Sequence, residues 1–360
     1  MVSKGFDVIA VSANGKEIPE IVDFEGVEHK VFNLTRSITP FTDLLTIVKL
    51  THYVRKERID IIHTHTPKAG LIGLMAGYLA GVKVRLHTIA GIPWMESHGF
   101  KRLILKHVDK FIYRFASRVY SNSEKLKTFI LDEKLVRAYK LKVLGNGSSN
   151  GIDTAYFDPD QVKFSKKELR CQLNIPETAF VFIFVGRVVK DKGMNELARA
   201  FTKLPKTAHL VLVGPLEQDL DPLADETLKF FQEDSKVHLL GYQNDVRPFL
   251  KLADALVFPS YREGFPNVPL QAGAFGLPSI VTDINGCNEI VVDRQNGLVI
   301  PVKDEDALKS AMELLINDKV LVEQMKARSR QMIVNRYAQK VVWEALYTEY
   351  RRLSKEKLHV

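Results

Sequence analysis

The chain has 360 residues, 46% hydrophobic and 26% charged, with a net charge of +8. No apolar run approaches the ~20 residues of a membrane span, and two cysteines, Cys171 and Cys287, are too few for a disulfide framework, so a reducing, cytoplasmic setting without a signal peptide is expected. The length fits two domains at ~100–200 residues each, and the positive excess points to polyanions as a class: nucleic acid, an anionic membrane or a phosphorylated substrate.

Met1–Gly5 reads as the last turn of a helix stopped by Gly5, and Phe6–Ser12 as a second strand. A doubly wound domain ordinarily opens with a strand and a Gly-rich turn before that helix. Either the ~20–25 residues of one βα unit are missing ahead of it, or the domain is built without its first strand and loop. Without that strand, two sheet edges are expected to lie open. Short β-branched runs then alternate with helical stretches: Asp7–Ser12, Asp60–His63, Lys83–His87 and Arg118–Ser121 in the first half. Several are almost continuously apolar, as strands buried on both faces are.

Two of these runs end in histidines: His63 and His65 in IIHTHTPKAG (Ile61–Gly70), and His87 in RLHTIAGIP (Arg85–Pro93). Each alone is as readily structural as functional. His63 and His65 are spaced as a metal pair could be, but no carboxylate or cysteine cluster accompanies them, and no metal is expected. GFKRLILKHVDKFIYRFASR (Gly99–Arg118) carries an apolar stripe of Leu103, Ile104, Val108, Phe111, Ile112 and Phe115. Arg102, Lys106, Lys110 and Arg114 form a cationic ridge at spacing four, opposed only by Asp109. The pattern fits an interfacial helix on an anionic bilayer, and equally a surface helix with its stripe in the core.

The polar stretch GNGSSNGIDTAYFDPDQ (Gly145–Gln161) marks a boundary, with a first domain over residues 1–160 and a second over 161–336. In the second, Val181–Val185, Ala208–Val213, Lys236–Leu240, Ala255–Phe258 and Ser279–Thr282 read as strands. The expected class is α/β: two Rossmann-like, doubly wound domains facing across a cleft, with ligands beyond the carboxyl ends of the strands. The last helix, about 337–360, carries Val341, Val342, Leu346, Tyr347 and Tyr350 at helical spacing and is expected to pack back on the first domain.

FVGRVVKDKG (Phe184–Gly193) follows a strand. Gly186 permits a tight exit, Arg187 stands at the strand's end, and Lys192 lies just before a helix, with Lys190 in the same loop. Two cations near a helix N-terminus suit a diphosphate, although solvated surface cations look the same in sequence. In YREGFPNVPLQAGAFG (Tyr261–Gly276) the loop Glu263-Gly264-Phe265 leads into a helix, with Gln271 about one turn inside. Such a loop can hold sugar and ribose hydroxyls on side-chain acceptors and phosphate on backbone donors. Its structural alternative is a capping carboxylate and a buried amide. The acidic pairs Asp219–Asp221 and Asp304–Asp306 read as solvated charge rather than magnesium ligands.

The run of motifs resembles the retaining, nucleotide-sugar-dependent glycosyltransferases of family 4, with the GT-B fold, of the kind that builds bacterial capsule, O-antigen or lipid-linked glycans. In the second half it is carried by GRVVKDKG, HLLGYQNDV and PSYREGFPNVPLQAGAFGLPSIVTDINGCNEIV; in the first by HTHTPKAG, RLHTIAG, YSNSEKLK and NGID. The resemblance implies that Arg187 and Lys192 neutralise the donor diphosphate, that Glu263 contacts the donor sugar, and that His87, or second His65, sits near the reacting sugar. It implies donor contacts from Gly186, Gly264, Phe265, Asn285 and Gly286. The family's second glutamate falls on Gln271, which hydrogen-bonds a diol without charge assistance. It also implies a UDP-sugar donor, a lipid-linked or oligosaccharide acceptor, no metal cofactor, no nucleic acid, and a peripheral place at the inner face of the membrane. A GT-B sugar-nucleotide epimerase and a non-catalytic nucleotide-sugar-binding module are the alternatives.

Overall fold

The computed structural model describes residues 1–35, 39–92, 94, 99–219 and 221–358, leaving aside the side chains of residues 21 and 101. Pro93, Leu220 and residues 359–360, which close or interrupt three of the stretches above, lie outside the described residues. The chain forms two compact units, Met1–Ser149 with Val342–Val360, and Asn150–Val341.

The first unit runs β1 (Ile9–Ser12), α1 (Ile18–Glu25), β2 (Glu28–Val31), α2 (Pro40–Lys56), β3 (Ile61–Thr64), α3 (Pro67–Ala80), β4 (Val84–Ile89), α4 (Gly99–Phe115), β5 (Arg118–Ser121), α5 (Glu124–Asp132) and β6 (Leu141–Val143). Strands β3 to β6 make a parallel sheet in sequence order, whereas β1 pairs in parallel with β2 in a separate sheet. A cavity of about 720 Å³ is lined by Ile9 and Val11 of β1, Leu50 and Tyr53 of α2, and Ile61 and His63 of β3. Among the described residues β1 has only β2 as a strand neighbour and β3 only β4, so each is an edge. The opening segment is a short 3-10 turn, Val2–Lys4, closed by Gly5 in the left-handed conformation (φ 84°).

The second unit runs α6 (Lys166–Gln172), β7 (Phe180–Val185), α7 (Met194–Thr202), β8 (Ala208–Val213), α8 (Asp225–Glu233), β9 (Val237–Leu239), α9 (Arg247–Leu252), β10 (Ala255–Phe258), α10 (Asn267–Ala274), β11 (Ser279–Thr282), α11 (Cys287–Ile290), β12 (Gly297–Ile300), α12 (Glu305–Asn317) and α13 (Lys319–Tyr337). Its six parallel strands stand in the order β12-β11-β10-β7-β8-β9. Strand β7 (FVFIFV) is buried at five of its six positions and β8 (AHLVLV) at all six, because helices cover both faces.

Residues 150–160 belong to the second unit rather than the first. Arg330 of α13 holds them: its guanidinium donates to the Asp158 carboxylate (2.6 Å) and the Thr154 carbonyl (3.1 Å). The chain returns to the first unit in α14 (Gln339–Lys357), at Val342. There the Tyr350 hydroxyl lies 2.6 Å from His63 Nδ1, and the Tyr120 hydroxyl donates to buried Glu349 (3.1 Å).

Candidate functional site

The connections of the second sheet place its candidate residues together. From β7 the chain moves outward to β8 and β9, then returns to β10 on the other side of β7. The strand order therefore reverses between β7 and β10, and in open parallel sheets ligands bind at the carboxyl ends beside that point. Gly186, Arg187 and Lys192 follow β7, Glu263 to Phe265 follow β10, and Asn285 and Gly286 follow β11. All strands being parallel, these segments share one edge.

The exits are packed backbone on backbone. A Cβ on Gly214 would stand 1.8 Å from the Gly186 carbonyl oxygen, and one on Gly193 (φ 72°) would stand 2.2 Å from that of Pro259. The second contact presses the 3-10 turn Lys190–Lys192 onto the end of β10, where the Tyr261 N–H donates to the Asp191 carbonyl (2.9 Å). Lys192 consequently reaches Glu263, Nζ to Oε1, at 2.6 Å, and the Ser260 hydroxyl donates to the same oxygen at 2.9 Å. The two side chains are only 13% and 17% exposed, so water screens this ion pair weakly. Arg187 is more open, at 45%, and donates to Glu217 at the exit of β8 (3.1 Å). The Asn285 side-chain amide donates to the Gly264 carbonyl and ties the β11 loop to the β10 loop.

Two helices begin at this edge without a side-chain cap: α7 after Gly193 and α10 after Pro266. Their first N–H groups and dipoles favour an anion. Gln271 stands on α10, partly buried, and among the described residues its side-chain amide has no hydrogen-bond partner. The edge thus combines two cations, two uncapped helix starts, a fixed carboxylate and a free amide. Such a set can hold a diphosphate and hydroxyl groups. Burial, with a smaller push from Glu263, drives the Cys287 thiol pKa well up, which keeps it neutral and unreactive.

The histidines of the first unit are arranged otherwise than expected. His87 on β4 is 2% exposed, with Nδ1 2.8 Å from the Thr64 hydroxyl. Gly70 of α3 lies against its ring and Tyr113 packs beside it. Burial, then His65, takes its pKa down to about 4, so it is neutral at pH 7. His87 has the surroundings of a core histidine, whereas His65 is exposed and lines the cavity beside β3. The rings of His63 and His65 are stacked at 4.3 Å, and no group of three metal-ligating side chains occurs among the described residues.

One member of each acidic pair serves the scaffold, while Asp219 and Asp306 are exposed, as solvated charge is. Asp221 accepts from the Asp191 N–H (2.6 Å), Asp304 caps α12, and Glu305 binds Arg199 and Lys203 at 2.6 Å each. The stripe of α4 divides: Ile112 is core, while Leu103, Ile104, Val108 and Phe111 are exposed. Its cationic ridge divides too, because Glu133 binds both Arg102 and Lys106 at 2.6 Å. Sequence reasoning passed over Ser260, Glu217 and Glu133. Nothing local in the sequence marks the Ser260 hydroxyl as the second donor to Glu263.

A family model for glycosyl transferases group 1 matches residues 165–332, and one for a glycosyl transferase 4-like domain matches residues 1–147. The chain is 32% identical to the capsular polysaccharide biosynthesis glycosyltransferase CapM of Staphylococcus aureus, over 98% of this chain and 92% of that protein. It is 31% identical to the Escherichia coli UDP-Gal:alpha-D-GlcNAc-diphosphoundecaprenol alpha-1,3-galactosyltransferase, over 92% and 85%. Anabaena HepE, crystallised with UDP, superposes with a TM-score of 0.80 at 20% identity, covering 95% of this chain and 92% of HepE. The chain therefore belongs to the group 1 glycosyltransferases with the GT-B fold, enzymes of bacterial capsule, O-antigen and lipid-linked glycan synthesis.

Proposed function

We propose that this glycosyltransferase takes its sugar from a UDP-sugar and passes it, with retention at the anomeric carbon, to a lipid-linked acceptor. The observation that carries the reading is the Lys192–Glu263–Ser260 cluster on the edge that also bears Arg187. The names of two similar proteins support it: the E. coli relative uses UDP-Gal and a diphosphoundecaprenol acceptor, and HepE was crystallised with UDP.

As the bond from the anomeric carbon to the phosphate oxygen breaks, negative charge grows on the leaving diphosphate. Arg187, Lys192 and the first N–H groups of α7 and α10 take up that charge. A preorganised donor of this kind contributes about 2.7–4 kcal/mol to the transition state. These groups supply the neutralisation without calling on a metal. Glu263, already oriented by Lys192 and Ser260, suits an acceptor for donor-sugar hydroxyls better than a nucleophile. Gln271 binds the ribose diol, and Gly186, Gly264, Phe265, Asn285 and Gly286 provide close-approach surface around the donor. The acceptor hydroxyl attacks from the face the diphosphate leaves, within an ion pair, and the leaving phosphate oxygen takes its proton. His87 has no direct part in this reading. The exposed apolar side chains of α4, with Phe100, meet the membrane surface that carries the acceptor.

The test is turnover of a panel of UDP- and GDP-sugars by the purified protein with diphosphate-lipid acceptors, and NMR assignment of the product anomer. Arg187→Ala loses turnover while Lys206→Ala, on the surface, keeps it. Equal activity in the two variants, or an inverted anomer, refutes the proposal.

A further inference from the structure

The part of α4 that Glu133 leaves unneutralised opens on a second cavity, of about 1250 Å³, between α4 and the segment joining α5 to β6. Lys110 and Arg114 line it from the helix, and Lys134, Arg137 and Lys140 from the segment, with His107 at one side. Among the described residues no carboxylate lines it. Lys140 is held: its ammonium donates to the carbonyls of Arg114 (3.3 Å) and Ala116 (2.8 Å) at the negative end of α4. Burial, and to a lesser degree Arg85, Arg137 and Arg118, lowers its pKa. Lys110, Arg114, Lys134 and Arg137 are exposed and have no acidic partner among the described residues. The nearest carboxylate on the helix, Asp109, is buried and accepts from the Trp94 indole at 2.6 Å. Phe111 and Tyr139, both exposed, flank the basin.

We propose that this basin is a binding site for a phosphomonoester or diphosphate group, separate from the donor site of the second unit. Four exposed cations around one already fixed can surround a group carrying more than one negative charge, with bidentate donation from Arg114 and Arg137. The ligand has two possible sources with this chemistry: the head group of an anionic lipid, reached alongside the exposed apolar side chains of α4, or a free phosphate compound. The inference does not rest on glycosyl transfer, and its test reads no turnover.

The test uses the whole protein at ~0.15 M salt, where net-charge attraction is screened beyond about 8 Å. One arm is flotation with phosphatidylcholine vesicles, with and without phosphatidic acid; the other is calorimetric titration with inorganic pyrophosphate, in an Arg187→Ala/Lys192→Met background that removes both cations of the donor site, so that its contribution is reduced and common to the variants compared. The variant K110Q/R114Q/K134Q/R137Q is compared with K206Q/K229Q/K319Q/R328Q, which removes the same charge from exposed positions of the second unit. The basin variant loses at least about tenfold in affinity, and the control does not. Loss in the vesicle arm alone assigns the site to a lipid head group; loss in the pyrophosphate arm assigns it to the phosphate group itself. Equal loss in both variants, or no binding of either probe by the unaltered protein, overturns the proposal.

Discussion

Lys192→Met separates the two tasks of the Lys192–Glu263 pair. Removing one member of a fully buried ion pair costs about 3–5 kcal/mol, because the other charge is stranded. Here the side chains keep 13% and 17% exposure and Ser260 still donates to Glu263, so the cost falls to about 2 kcal/mol. For a unit of this length that lowers the melting midpoint by roughly 4–8 °C. If Lys192 also carries charge in the transition state, kcat falls by about 10²–10³. The double variant Lys192→Met/Glu263→Gln removes both charges. It recovers most of the stability, since no charge is left stranded, but none of the rate attributed to Lys192. Thermal unfolding by circular dichroism and initial rates of nucleotide release measure the two quantities on the same samples. Recovery of activity in step with stability would make the pair a clamp and sink the catalytic assignment.

Further outcomes follow from other contacts. Gln271→Glu supplies a charged acceptor to the donor diol and lowers the donor KM about fivefold with little change in kcat; an unchanged or raised KM would show that the free amide does not meet the donor. Gly214→Ala forces a methyl into the Gly186 carbonyl, and urea unfolding should show a loss of about 3 kcal/mol or more, whereas Gly26→Ala, in open space, costs less. For Glu349, burial raises the pKa, but Arg352 and Lys142 together outweigh it and bring it down to about 2. A carboxyl with a depressed folded pKa stabilises above its unfolded value near 4.3 and loses that contribution as pH falls toward 2. Acid titration of the first unit's fluorescence should therefore show a transition in that window, and Glu349→Gln should flatten it; an identical acid profile in the variant would disprove the linkage.

The amino-acid order alone settled what depends on near neighbours. Continuous, short, β-branched and aromatic runs such as FVFIFV and LVLV read as strands buried on both faces, and they are β7 and part of β8. The glycines at strand exits, with a cation before or after them, marked the sheet edge on which the candidate donor residues gather. Polar or short strands stayed hidden. β2 (EHKV) is an edge strand with three exposed positions, and nothing in its composition separates it from a loop. Pairings across the chain were hidden as well. Lys192 and Glu263 are 71 residues apart and meet because β10 inserts beside β7, while Glu133 takes two cations from the ridge of α4. The burial of His87 has the same origin: α3 lays Gly70 across its ring. Periodicity and turn chemistry are local, so the residue string carries them; strand order and the partner of a charge are properties of the packed chain, where desolvation decides which groups must pair.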